Sequence, residues 1–189
     1  MKFIVENWFV IVAIAAVAKA AAVNNMVGYC QSHRGTFWTN LADSNFDPAQ
    51  ITVPCEADCS SGVAAIVKGA GYRLKNEKLK SVSTACYTGN LRKALKTAGF
   101  KVLTDKKYLT SDAYLLEGDI LLNDGAHVAT NLTNGAKASG GGASQTVPIK
   151  SNVKLEAARG YDKNLAGTYK VTGADALNLR SGAGTGKDK

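Results

Sequence analysis

The sequence predicts an α+β domain in which helices come first and antiparallel strands last. Three observations carry this expectation. Apolar residues recur at helical spacing in three stretches of the first hundred residues: near the start, after Cys59, and from Thr88 to Phe100. Past Gly118 the period falls to two, and D-G and T-N-G turn signals separate the runs. Hydrophobic residues make up 46% of the 189 positions, enough for a packed core.

Phe3 to Val23 is the most apolar stretch. Met1–Lys2 followed by Trp8–Ala18 has the outline of a secretory signal. Against that, Glu6 and Asn7 break its front, and Lys19 stands where a cleavage site needs small neutral residues. Its uninterrupted part, Trp8 to Ala18, is also shorter than the roughly 20 residues that span a bilayer. An alanine-rich core helix from about Lys2 to Ala22 is favoured, with the signal as the alternative, and no stable membrane insertion is expected. Asn24-Asn25 ends the helix, and V-G-Y-C-Q-S-H-R-G-T-F-W reads as a turn-rich aromatic loop. Asp43 to Pro54, punctuated by Pro48 and Pro54, reads as a loop that forms one wall of a cleft.

The stretch A-D-C-S-S-G-V-A-A-I-V-K-G-A-G-Y, Ala57 to Tyr72, organises the chain. Asp58 is placed to cap a helix, because its carboxylate can accept from the free N–H groups of the first turn. Cys59 then opens the helix, where the positive end of the macrodipole favours a thiolate. Ser60, Ser61 and Gly62 are small and leave backbone N–H groups accessible to an oxyanion. Val63, Ala64, Ile66, Val67 and Ala70 form the buried face, and Gly69 and Gly71 are expected to end the helix.

Arg73 to Ala85 is polar and expected to be exposed. Thr88 to Phe100 is a short amphipathic helix with Leu91, Ala94, Leu95 and Ala98 on one face and Gly99 at its end. Gly118–Asn123 reads as a strand, Asp124–Gly125 as a turn and Ala126–Leu132 as a second strand. Along that second strand His127, Ala129 and Asn131 face opposite to Ala126, Val128, Thr130 and Leu132. A third strand is expected over Ala136–Ser139, and one or two more between Thr146 and Ala158. The organisation is a domain over 1–158, a linker over 159–168, and the start of a second domain over 169–189.

The formal net charge is +8. A basic surface suits a polyanion such as nucleic acid, anionic lipid or wall teichoic acid, and equally suits general solubility. No basic run interleaves with aromatics, which disfavours a nucleic-acid module. The four cysteines include no C-x-x-C pair, and no histidines sit at zinc-finger distances, so neither a structural zinc nor a metal or other cofactor is expected. Free thiols at Cys30, Cys55 and Cys86 are favoured over one bridge among them. A nucleophilic cysteine needs a base. Of the two histidines, His33 sits in a polar loop and reads as structural or exposed, whereas His127 sits mid-strand among small neighbours.

D-C-S-S-G-V followed by G-D-I-L-L and H-V-A resembles the NlpC-type and CHAP-like cell-wall cysteine peptidases, and most closely the catalytic domains of bacteriophage endolysins. V-G-Y-C-Q is similar to a segment that those lysins carry before the nucleophile. A-L-N-L-R-S-G-A-G-T resembles the opening of a bacterial Src-homology-three-like wall-binding domain. The resemblance implies a papain-like fold and a peptidoglycan hydrolase that is made in the bacterial host and acts on the wall. Its partners are peptidoglycan and anionic wall polymers. Cys59 is the implied nucleophile and His127 the implied base. Tyr29, Asp58 and Ser60 surround the oxyanion and substrate. The family's third catalytic member, about twelve positions after the histidine, falls on Ser139; a backbone carbonyl or Lys137 are the alternatives. Asn131 is unsuited, since four strand residues cover about 13 Å. Two other readings compete: a wall-binding protein with a degenerate site, and an acyltransferase or thioesterase, which the Cys-before-His order disfavours.

Overall fold

A computed structural model describes residues 2–4 and 8–138. Ser139, the expected strands after it, the linker and the tail at 169–189 lie outside the described residues. The fold is α+β, with helices and two small sheets. The larger sheet is antiparallel throughout, in the order β4 (Lys101–Leu103), β1 (Lys2–Ile4), β5 (Ile120–Asn123), β6 (His127–Thr130).

Lys2–Ile4 therefore corrects the expected helix start. These residues form an interior strand, with Lys2 opposite Leu103 on one side and Leu121 on the other. Backbone pairing on both edges overrides the local apolar run, as tertiary context commonly does for short segments. The helix α1 begins at Trp8 and runs to Val23. It is apolar all round and buries Val10, Ile14, Val17 and Ala21 in the common core. Asn24 closes it and holds the next loop: its side-chain amide donates to the carbonyls of Pro48 (2.7 Å) and Ile51 (2.9 Å). The segment from Asp43 to Pro54 is thus anchored to the end of α1.

The second sheet pairs β2 (Val27–Tyr29) with β3 (Cys55–Ala57) in parallel, and α2 (Thr36–Asp43) bridges them in sequence. Helix α3 (Cys59–Arg73) follows β3 at once and packs against α1, α2 and β6. It does not end at its glycines. A Cβ on Gly71 would lie 2.7 Å from Leu79 Cβ and 2.7 Å from Lys80 N, and one on Gly69 would lie 3.0 Å from Leu41 Cδ2. Both positions are small so that neighbouring elements can approach. The helix stops two residues later, where Lys75 takes φ +53° and Asn76 N–H bonds back to Gly71 O at 2.8 Å, a Schellman closure without glycine.

Arg73 to Ala85 is accordingly not a bare polar surface. It contains α4 (Glu77–Lys80), and Leu79 and Val82 are buried under it. Helix α5 (Thr88–Thr97) buries Leu91 and Leu95, as its spacing predicts. A short α6 (Lys106–Leu109) leads towards β5. The β5–β6 hairpin turns at Asp124–Gly125 with Gly125 at φ +73°. The third strand expected from Ala136 does not form over Ala136–Ala138. Gly135 and Lys137 instead donate backbone bonds to Leu115 O (2.8 Å) and Ala113 O (2.7 Å). The chain passes so close to Asp112 and Ala113 that any Cβ at Gly135 would collide with their carbonyls. T-N-G here serves a close crossing and not a hairpin.

Candidate functional site

The site is built where β2 and β3 deliver the chain to α3. Parallel pairing sets Tyr29 beside Ala57, and Cys30 N–H continues the ladder to Ala57 O at 3.1 Å. Asp58 then caps the helix as the sequence predicts. Its Oδ1 accepts from Ser61 N–H at 2.7 Å and from Ser60 Oγ at 3.0 Å, and Ser61 Oγ accepts from Asp58 N–H at 3.0 Å. That reciprocal box fixes the first turn in place. Asp58 and Ser60 are buried, and these side-chain bonds stay inside the cap.

Arg34 completes the cap from the β2–α2 loop. Its Nε lies 3.0 Å from Asp58 Oδ2, at ion-pair range but off the direction of a hydrogen bond. Its Nη2 donates to Ser60 Oγ at 3.1 Å and to the carbonyl of Cys86. One guanidinium therefore ties the β2–α2 loop, the head of α3 and the chain before α5 together. Sequence reading passed over Arg34. Nothing local marks it, because all three partners are remote in the chain.

Cys59 is half-buried at the first position of α3 and packs against the core. Its backbone N–H is a first-turn donor, and Tyr29 lies near it and near the side chain of Gln31. Burial pushes the Tyr29 phenol above its ordinary range, and its nearness to Cys59 and Asp58 adds to that rise; the polar surroundings at the Cys59 backbone and Gln31 offset part of it. Tyr29 thus stays a neutral hydroxyl at the mouth of the thiol.

His127 opens β6, opposite Asn123 in the register. Alternation along the hairpin puts it on the face away from buried Ile120, Leu122 and Val128, together with half-buried Leu121 and Ala129. The strand that carries it packs beside α3, the helix that carries Cys59. Asn131 bonds through its amide to Leu116 O and Thr133 O, consistent with its exclusion as an orienting group. The four thiols are free. Cys55 and Cys86 are buried, and that burial raises the pKa of each above the ordinary thiol range.

A second cluster lies on the other side of the same loop. His33 Nδ1 is 3.0 Å from Glu56 Oε2 and 3.7 Å from Cys30 Sγ. His33 is exposed, as expected, but it is not alone. The sequence signal was C-x-x-H over Cys30–His33; the third member, Glu56, arrives only through β-pairing.

A sequence model of the endolysin-like domain family matches residues 6–138. The chain belongs to that family. In this endolysin-like domain the match covers most of the given sequence, from Glu6 to the last described residue, Ala138. Membership supports a cell-wall lytic role of the phage endolysin type, with peptidoglycan as substrate. No curated protein and no solved structure matches the chain. Among the described residues, no helix is long and apolar enough to cross a membrane.

Proposed function

We propose that this endolysin-like domain hydrolyses an amide bond of peptidoglycan with Cys59 as nucleophile and His127 as general base and acid. The observation that carries the reading is the head of α3, where the half-buried Cys59 takes the first helical position directly after the Asp58 cap. A half-buried sulfur on a capped, core-anchored helix has the access and rigid mount that a nucleophile needs. His127 is assigned as its partner on the resemblance, with β6 packed beside α3 at the level of whole elements.

In this mechanism His127 takes the proton of the Cys59 thiol, the sulfur attacks the amide carbonyl, and the carbonyl oxygen accepts from the Cys59 N–H. The Tyr29 hydroxyl donates to the same oxyanion. His127 gives its proton to the leaving amine, and the C–N bond breaks. Water, deprotonated by His127, then cleaves the thioester and releases the carboxylate. Asp58, Ser60 and Arg34 position the helix through the cap, and Asp58 and Ser60 stand beside the oxyanion and substrate in this reading. Ser139 is the proposed orienting partner of His127, with a backbone carbonyl or Lys137 in that role as the alternatives. Two bonds fit: the muramoyl–L-alanine bond and the D-glutamyl–diamino-acid bond. The tail over 169–189 is read as the opening of a Src-homology-three-like wall-binding domain, and the +8 charge would concentrate the protein on anionic wall polymers.

Mass spectrometry of digested peptidoglycan tests the reading. The wild-type chain should release one new amine and one new carboxylate from a single bond type, and Cys59→Ala should release none while melting at the same temperature. Release by Cys59→Ala overturns the mechanism. Sedimentation with walls but no release by the wild type would mark a binding module.

A further inference from the structure

We propose that Cys30, His33 and Glu56 form a binding site for a borderline-soft divalent cation of the zinc class. The three donor atoms, one sulfur, one ring nitrogen and one carboxylate oxygen, all lie within 4.8 Å of one another. Tetrahedral zinc with Zn–S near 2.3 Å and Zn–N near 2.0 Å sets sulfur and nitrogen about 3.5 Å apart. Here Cys30 Sγ and His33 Nδ1 are 3.7 Å apart, and His33 Nδ1 and Glu56 Oε2 are 3.0 Å apart. For these two pairs a shift of a few tenths of an ångström suffices, and a rotation of the partly exposed Glu56 carboxylate within the 4.8 Å cluster brings the third donor in.

The arrangement is not a second catalytic triad. In a triad the nucleophile and the orienting carboxylate use different ring nitrogens of the histidine. Here both converge on Nδ1, which is the pattern of ligands around a common centre. Thiolate, imidazole and carboxylate together select zinc-like ions over magnesium or calcium.

The frame that holds the donors is already built. Thr36 N–H bonds to His33 O at 3.1 Å, and Glu56 N–H donates to Thr36 Oγ1 at 2.8 Å. The β2–α2 turn and β3 are thereby fixed relative to each other before any ion arrives. Opposite Glu56 in the ladder is Gly28, which holds the strand that leads into Cys30 beside β3. His33 and Glu56 side chains are 67% and 35% exposed, so the site opens to solvent and a fourth position is left for water. Arg34 leaves the same turn to hold Asp58 and Ser60. An ion at this point would stiffen the wall of the Cys59 site without touching it.

Titration of the full chain with Co²⁺, a coloured zinc surrogate, tests the proposal. One equivalent should bind with a sulfur-to-metal charge-transfer band, and Zn²⁺ should displace it. Cys30→Ser should remove the band, and His33→Ala should weaken binding by about 100-fold, at least the loss seen for supporting groups around a metal. Both side chains stand at the surface end of the loop, and the circular dichroism of each variant checks its fold. Cys59→Ala should bind as the wild type does. Loss of the band in Cys59→Ala would place the ion on the other thiol and overturn the site. So would undiminished binding by His33→Ala, or no charge-transfer band in the wild type. None of these outcomes depends on lytic activity.

Discussion

Asp119 offers the sharpest test of how this fold is held. Its carboxylate lies 2.7 Å from Lys2 Nζ, and the two side chains are 1% and 3% exposed. Asp119 Oδ2 also accepts from Leu116 N–H at 2.6 Å, while Lys2 donates to Tyr114 O at 3.1 Å. Burial pushes the Asp119 carboxyl above its ordinary range, and the bonds and charge of Lys2 and Leu116 only partly offset that. Two variants therefore separate shape from charge. Asp119→Ala removes the acceptor, leaves Leu116 N–H and a buried ammonium without it, and should cost about 3–5 kcal/mol. Asp119→Asn also leaves the buried Lys2 ammonium without its counter-charge but keeps a carbonyl oxygen for both donors. It should therefore cost about 1–2 kcal/mol less than Asp119→Ala. The sign with pH follows. The native state holds this proton more tightly than the unfolded chain, so the group favours the fold most below the ordinary carboxylate value. That contribution falls as pH rises through the elevated native value. The gap between wild type and Asp119→Asn should shift against the wild type over that window. Urea denaturation followed by tryptophan fluorescence, repeated across acid pH, measures both effects. Equal losses in the two variants would refute the reasoning, because the charge pair and not the acceptor would then carry the stability.

Three further outcomes are expected. Tyr29→Phe should lower kcat about 100-fold with little change in melting temperature, because it removes one donor to the oxyanion; turnover of a soluble stem peptide measures it. Arg34→Ala should lower kcat at least about tenfold through loss of position at the head of α3, and Arg34→Lys should recover part of it. Gly71→Ala should cost about 1–3 kcal/mol in thermal unfolding, since its Cβ would meet backbone of α4 as well as Leu79.

What could be read from the sequence is what is local. The cap at Asp58 and the place of Cys59 need only residues within one turn, and D-C-S-S displays them all. The β5–β6 hairpin announces itself through alternation and D-G. The features missed depend on partners far along the chain. Lys2–Ile4 looks like the start of an apolar helix until β4 and β5 are available to pair with it. Gly71 reads as a helix stop, because the close approach of α4 is a tertiary fact. Arg34 and Glu56 acquire roles only after the parallel β2–β3 pair brings the loop and the strand into register.

The interior position of β1 has a consequence for synthesis. Lys2–Ile4 leaves the ribosome before either neighbour of that strand, since β4 and β5 both come after α5. Helices α1 and α3 can dock early, through contacts that are nearer in sequence. The sheet has to wait for almost the whole domain to emerge, and closing so long a loop slows its completion. Until then the opening segment is an unpaired edge on a nascent chain, and a chaperone that shields it would govern the yield of active protein.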